Sequence, residues 1–254
     1  MCIRDSKGGA DQQLCRCGST HWTTLQNLVK GGTLEIIIGE FERLGYTCNW
    51  QVLNAADYGA PQIRERLLLI GSRDNEPIRW PVSSYGREGQ KDQLTLFGSD
   101  KKPWRGMAEI WADGRHPRFG TLDLDKAVLW VRNVVRPHDE PVTWSLRRPS
   151  PTVGAHQAAK LALAPEGVPE EQLLRQQWHV AGKRQKDLPP VQVKYELLTD
   201  EELLELQTFP KGWYLHGTRM DRAFQIGNAV PPVLAREIGT SLMTLISARE
   251  AVLR

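Results

Sequence analysis

Apolar residues near the start of the chain predict one amphipathic helix. They recur at intervals of three and four residues, which places side chains on one face of a helix: Leu34, Ile37, Ile38, Phe41 and Leu44. Thr33 precedes them at the position of an N-cap, and Gly45 follows them where a C-terminal cap glycine is expected. The pattern therefore predicts a helix that begins at Thr33 and ends just before Gly45.

Two strands are predicted after this helix. Residues 46–53 are typical of an extended segment, and a loop punctuated by Gly59 and Pro61 leads out of it. The four consecutive aliphatic residues 67–70 then predict a short strand that is buried on both faces. Because side chains alternate along an extended chain, Arg64 and Arg66 fall on the same side at the entry to this strand.

The rest of the chain divides into a loop-rich part and a helical part. Residues 74–190 contain no long periodic segment and predict a small, irregular domain of strands and loops. Thr199 and Glu202 form a capping box that opens a helix. A final helix is predicted to start at Pro231 and Pro232, with one apolar face that consists of Leu234, Ile238, Leu242 and Leu245.

Composition is typical of a globular protein of the cytoplasm. The chain has 254 residues, of which 40% are hydrophobic, and no apolar run approaches the length of a membrane span. Its four cysteines form no regular framework, which favours a reducing compartment. Cys15 and Cys17 with His21 could ligate a metal, but the usual second pair of ligands is absent. The prediction is unpaired thiols, no metal and a cytoplasmic location.

Basic residues occur in clusters with aromatic residues and prolines. The net charge is only +3, but residues 101–105, 115–119 and 147–148 are locally basic within the loop-rich part. Any one of these clusters is typical of a solvated surface. Several together favour a surface that contacts phosphates, because DNA affinity is carried largely by Lys and Arg side chains.

Four segments resemble, in the same order, motifs of the DNA (cytosine-5)-methyltransferases. Residues 54–66 resemble the Gln-x-Arg-x-Arg motif together with its flanking residues. Residues 150–153 are similar to the Ser-Pro-Thr stretch late in the recognition domain, and residues 198–210 to the helix-plus-Phe-Pro motif that supports that domain. Residues 226–232 resemble the last motif of the family, which closes the cofactor pocket.

The resemblance implies a role for five residues around a flipped cytosine and S-adenosylmethionine. Arg66 is implied to reach O2 of the base, and Arg64 to hold the site and the cysteine loop. Gln62 is implied to shape the turn. An ordinary alternative for Arg64 is a salt bridge to Glu65 or to another neighbour. Asn228 and Ala229 are implied to border the cofactor, although an asparagine here could equally be a turn residue with positive φ.

Double-stranded DNA is the partner that the resemblance implies, and with it an association with the nucleoid in a prokaryote. Within the recognition segment, Arg147 and Arg148 are expected to contact the DNA backbone. Thr152 could contact a phosphate near the flipped base, and an ordinary strand hydroxyl is an equal alternative.

The implied fold is α/β: an incomplete Rossmann-like, S-adenosylmethionine-dependent methyltransferase domain with a small, irregular, β-rich target-recognition domain inserted. Residues 1–73 would belong to the C-terminal part of the catalytic domain and residues 74–190 to the recognition domain. Residues 191–254 would supply the support helix and a C-terminal helix that returns to the catalytic domain.

Three motifs of the family have no match in the sequence. They are the Gly-rich cofactor turn, the Pro-Cys dipeptide with the nucleophile, and Glu-Asn-Val; none of the four cysteines follows a proline. The expectation is therefore the C-terminal portion of a methyltransferase of a restriction-modification or epigenetic marking system, inactive alone. Its N-terminal half would lie in the same or a separate chain. The alternatives are a noncatalytic DNA-binding module and one half of a split enzyme.

Overall fold

The computed structural model describes residues 32–73, 78–87, 101–111, 115–131, 143–158, 160–169 and 194–252. The first element is helix α1 (Thr33–Arg43), which confirms the predicted helix. The predicted N-cap is wrong by one residue, because Gly32 is the cap and has a φ of +73°. Glycine adopts this left-handed conformation without steric cost, whereas threonine does not. Gly45 lies just past the helix with a φ of +80°, as predicted.

Strands β1 (Thr47–Asn54) and β2 (Glu65–Ser72) form an antiparallel ribbon in which Asn54 lies opposite Glu65. A short 3-10 helix, Ala55–Tyr58, follows β1 directly. Both predicted strands are confirmed. The prediction that residues 67–70 are buried on both faces is wrong, because all four are half-buried. Among the described residues this sheet has only two strands, and such a ribbon leaves part of each face uncovered.

Short strands dominate the loop-rich part of the chain, as predicted. β3 (Tyr85–Gly86) pairs in parallel with β4 (Lys102–Pro103). A second 3-10 helix, Met107–Ile110, follows β4. The remaining strands form a hairpin and an antiparallel four-stranded sheet of order β10-β9-β7-β8: β5 (Arg115–His116), β6 (Gly120–Thr121), β7 (Val128–Val131), β8 (Thr143–Ser145), β9 (Leu161–Ala164) and β10 (Glu196–Leu197).

Four further helices complete the described fold: α2 (Ala155–Ala158), α3 (Asp200–Leu206), α4 (Arg219–Asn228) and α5 (Pro232–Val252). The capping box that opens α3 is confirmed, since Thr199 and Glu202 each bond the main-chain N–H of the other. Helix α4 was not predicted, although Thr218 and Asp221 form a second capping box at its start. The start of α5 is confirmed and its Leu234 is fully buried; the side chain of Leu245 lies outside the described residues.

Two hydrophobic cores organise these elements. The larger one joins the four-stranded sheet to α3 and α4, through residues such as Leu163, Leu203 and Ile226. The smaller one packs α5 against the end of β1 and the 3-10 helix that follows it, for example Leu234 against Leu53. None of the helices in the described ranges combines the length and the apolar character that a bilayer crossing requires.

Candidate functional site

The loop that contains Gln62 pairs through its main chain with the Ser-Pro-Thr stretch. The N–H of Ile63 donates to the carbonyl of Ser150 at 2.9 Å, and the N–H of Ser150 donates to the carbonyl of Pro61 at 2.9 Å. The hydroxyl of Thr152 donates to the carbonyl of Ile63 at 2.8 Å. Two segments that are distant in sequence are thereby joined in register.

Arg64 connects this loop to two other segments. Its side chain is completely buried. Nη1 donates to the carbonyl of Val153 at 3.0 Å, and Nη2 donates to the carbonyl of Gly227 at 2.5 Å. These partners are 89 and 163 residues away in sequence, so one guanidinium joins three parts of the chain. Both of these side-chain bonds go to main-chain carbonyls.

The Phe-Pro segment joins the same junction. The amide nitrogen of the buried Gln207 donates to the carbonyl of Ile226, next to the carbonyl that Arg64 bonds. Thr208 has a φ of +65°, which is unfavourable for a β-branched residue. Its hydroxyl oxygen accepts the N–H of Val233 at 3.2 Å, in the first turn of α5. All four segments that resemble family motifs therefore meet at one place.

Gly227 allows two main-chain segments of this junction to approach closely. A Cβ atom at this position would lie 2.3 Å from the main-chain nitrogen of Ala155 and 2.7 Å from the carbonyl carbon of Gly154. Both atoms belong to main chain, which cannot rotate away. Only glycine permits this packing of α4 against α2, and sequence analysis did not identify the requirement.

Arg66 lies at the start of β2, and 9% of its surface is exposed. Its Nη1 donates to the main-chain carbonyl of Glu65 at 2.7 Å, which orients the guanidinium. Burial, with a smaller contribution from Asp57, raises the pKa of the neighbouring Glu65 carboxyl. The two arginines that sequence analysis paired thus differ: the described bonds of Arg64 tie distant segments together, whereas that of Arg66 is local.

Gln62 has a side chain that is fully buried. Neither its amide nitrogen nor its amide oxygen has a hydrogen-bond partner among the described residues. A buried polar group without a partner costs about 1–3 kcal/mol. Such a cost is uncommon in the interior of a protein.

Asn228 and Ala229 lie at the end of α4. Asn228 is the last helical residue, and it is not among the described residues with positive φ, so the turn alternative is wrong. Its side chain is exposed and makes no hydrogen bond within the described part of the chain. The N–H of Ala229 donates to the carbonyl of Ile226 at 3.2 Å and closes the helix.

The three residues expected to contact DNA have different surroundings. Arg147 is exposed, and its Nε donates to the Asp125 carboxylate at 2.9 Å. Arg148 is exposed and has no ion-pair partner among the described residues. The hydroxyl proton of Thr152 is already used in its bond to Ile63, so a donated bond to phosphate would require that bond to break.

The basic cluster of residues 115–119 is largely structural, contrary to expectation. His116 is buried with its Nε2 2.8 Å from Glu202, and the side chain of Arg118 bonds both Glu196 and Glu202. The indole of Trp111 also donates to Glu202, at 3.1 Å. Burial lowers the pKa of His116, an effect that Glu202 opposes and Arg118 reinforces. This network fastens the β5–β6 hairpin to α3.

Cys48 is the cysteine within the described residues, and it is half-buried in β1. Burial, together with the nearby Glu42, raises the pKa of its thiol. A cysteine nucleophile requires a lowered pKa, so this environment disfavours a catalytic thiolate. Cys2, Cys15, Cys17 and His21 lie outside the described residues.

Sequence comparison finds several bacterial methyltransferases among the relatives of this chain. The Type II methyltransferase M1.HphI of Haemophilus parahaemolyticus is 30% identical over 85% of the chain and 53% of its own length. The Type II methyltransferase M.BspRI of Lysinibacillus sphaericus is 26% identical over 86% of the chain and 48% of its own length. M.BsuRI of Bacillus subtilis is 27% identical, over 86% of the chain and 47% of its own length. The chain thus spans about half the length of these curated relatives.

The family-level comparison covers most of the chain. The sequence model of the C-5 cytosine-specific DNA methylases matches residues 23–244. This range includes all four segments that meet at the Arg64 junction. The chain belongs to the C-5 cytosine-specific DNA methylase family.

Proposed function

We propose that this chain is part of a DNA (cytosine-5)-methyltransferase of a restriction-modification system. It would supply the base-contacting arginine, one wall of the cofactor site and the surface that binds DNA. The observation that carries the proposal is the junction at Arg64. This side chain holds the Gln-x-Arg-x-Arg loop against both the Ser-Pro-Thr stretch and the end of α4.

The proposed division of the chain follows this junction. Residues 1–73 would complete a Rossmann-like catalytic domain, and residues 74–190 would form the recognition domain. Residues 191–254 would return the chain to the catalytic part. The larger core supports the link between the last two ranges, because Leu163 and Ile226 belong to it. The smaller core supports the return of the chain to the catalytic part, because Leu234 of α5 packs with Leu53 of β1.

Arg66 is proposed to act on the flipped cytosine. Negative charge moves toward N3 and O2 of the ring as a thiolate adds to C6, and a donor fixed in advance at O2 lowers this barrier. The bond from Arg66 to the Glu65 carbonyl fixes the guanidinium before the base arrives. Arg64 would act as a positioning residue, since its described bonds go to main chain rather than toward solvent.

Asn228 and Ala229 are proposed to border S-adenosylmethionine, which supplies the methyl group when bound. The exposed Asn228 amide fits this role, because it offers a donor and an acceptor that no described residue uses. No cysteine among the 254 residues follows a proline. The nucleophilic thiolate would therefore come from polypeptide other than these 254 residues, in the same or a separate chain.

The test combines the 254-residue chain with a polypeptide that carries the Pro-Cys and Glu-Asn-Val motifs. Incubation with duplex DNA and a labelled methyl donor is expected to label cytosine C5 only when both are present. Label with the chain alone would overturn the proposal that the nucleophile lies elsewhere. DNA binding without any labelling in the mixture would favour a noncatalytic DNA-binding module.

The DNA surface is tested separately. Replacing Arg147 and Arg148 with Ala is expected to weaken binding to all duplex sequences by a similar factor, because phosphate contacts carry no sequence information. Arg43→Ala with Lys211→Ala is the matched control, since it also removes two exposed cations, each of which is paired with a carboxylate. Equal affinities for the double variant and the native chain would remove these two residues from the DNA surface.

A further inference from the structure

The β3/β4 ribbon (Tyr85–Gly86 with Lys102–Pro103) is fastened to the segment that leads into the Gln-x-Arg-x-Arg loop. The indole of Trp104 donates to the Asp57 carboxylate at 2.8 Å. The N–H of Ser84 donates to the carbonyl of Asp57 at 3.1 Å, and Nη1 of Arg105 donates to the carbonyl of Gly59 at 3.2 Å. Asp57 and Gly59 lie three to five residues before Gln62, so the ribbon has a fixed position relative to that loop.

Close packing reinforces these bonds. A Cβ atom at Gly59 would lie 2.8 Å from the Tyr85 ring, so the ring lies directly against the glycine. The phenol of Tyr58 donates to the carbonyl of Pro81 at 3.0 Å, just before the ribbon. Burial raises the pKa of Tyr58 to about 12, with smaller contributions from Asp57 and Glu237, so this phenol remains a donor.

In this region, the residues that attach the ribbon to the protein differ from the exposed cations. Trp104 and Arg105 bond toward the protein, and Arg105 also pairs with Glu109. Arg87 and Lys102 are exposed, and no carboxylate of the described residues lies within salt-bridge distance of either. Lys102 lies 6.0 Å from the centre of the Tyr85 ring, which supports the side chain.

The turn of Arg147 and Arg148 meets the same region. The N–H of Met107 donates to the carbonyl of Arg148 at 2.9 Å. A Cβ atom at Gly106 would lie 2.7 Å from the carbonyl oxygen of Arg147, so the two main chains touch. The tertiary structure therefore brings two basic clusters, more than forty residues apart in sequence, next to each other.

We infer that the β3/β4 ribbon is a second contact to the phosphate backbone of duplex DNA, made through Arg87 and Lys102. The inference rests on the proposed function and assigns these two residues to the partner named there. The contact carries no base information. Its anchoring to Asp57 and Gly59 sets the distance between a bound phosphate and the Gln-x-Arg-x-Arg loop.

The experiment compares two double variants of the 254-residue chain. One is Arg87→Ala with Lys102→Ala. The control is Arg43→Ala with Lys211→Ala, which removes the same charge from residues that are 77% and 91% exposed. Affinity for two duplexes of unrelated sequence is measured from 50 to 200 mM salt. Each lost phosphate contact is expected to reduce the slope of log K against log salt by about 0.9.

The ribbon variant is expected to lose about 1.8 from this slope on both duplexes, while the control keeps the native slope. Equal losses in the two variants would mean that net charge alone matters, and would overturn the inference while leaving the proposed function intact. A loss on only one duplex would indicate base readout and would also overturn it. A native chain that binds neither duplex would overturn the DNA partner itself, and the inference with it.

Discussion

Arg64 offers the sharpest test of how the site is assembled, because one side chain satisfies two distant carbonyls. Arg64→Met keeps a long unbranched side chain and removes every donor. The carbonyls of Val153 and Gly227 would then lose their partner inside the protein. At about 1–3 kcal/mol for each buried group left without a partner, the expected loss of stability is about 2–6 kcal/mol. That is a large part of the stability of a typical domain, about 5–15 kcal/mol.

The assay is urea unfolding of the 254-residue chain, followed by tryptophan fluorescence. The matched control is Arg43→Met, which removes an exposed arginine and its surface pair with Glu40. Exposed pairs contribute about 0–1 kcal/mol, so the control is expected to stay near native stability. Arg64→Lys keeps the charge but lacks the planar fork that spans two acceptors, and an intermediate loss is expected. If Arg64→Met costs no more than Arg43→Met, the guanidinium does not hold the junction.

Three further predictions concern single residues. In the complete enzyme, Arg66→Ala is expected to lower the single-turnover methyl-transfer rate about a hundred- to a thousand-fold, with little change in cofactor affinity. Asn228→Ala is expected to weaken cofactor binding first. An Arg66→Ala variant that keeps its rate and loses only DNA affinity would refute the catalytic role of Arg66. Burial lowers the pKa of His116, so the unfolded chain takes up a proton before the folded chain does as the pH falls below about 6.5. The free energy of unfolding should therefore fall there by at most about 1.4 kcal/mol per pH unit. His116→Gln should lose this part of the pH dependence, and identical pH profiles of the variant and the native chain would contradict the prediction. Gly227→Ala should lower the free energy of unfolding, measured in urea, by about 1–3 kcal/mol, because the added Cβ meets main-chain atoms. Gly39→Ala in α1 should not destabilise the chain, because open space surrounds Gly39. Similar effects at the two positions would refute the packing argument.

Local signals in the sequence were sufficient for several elements. The helix from Thr33, both strands of the β1–β2 ribbon, the capping box at Thr199 and the start of α5 were predicted and confirmed. Each depends on residues within a few positions of one another, through side-chain periodicity or capping hydrogen bonds. Helix α4 carried the same kind of signal at Thr218 and was missed, because only Ala223, Ile226 and Gly227 of that helix are buried.

The order of motifs along the sequence indicated the family, which the family model confirms, and it suggested the residues proposed for the site. It did not determine which of those residues touch. Arg64 was grouped with Arg66 from their spacing, and only the fold shows that the described bonds of Arg64 reach Val153 and Gly227. Arg118 was grouped with DNA-contacting residues from its charge, and only the fold places it against Glu196 and Glu202. Spacing within a segment fixes which side of a strand or helix a side chain occupies. Its partner depends on packing between segments up to 163 residues apart, which no local pattern encodes.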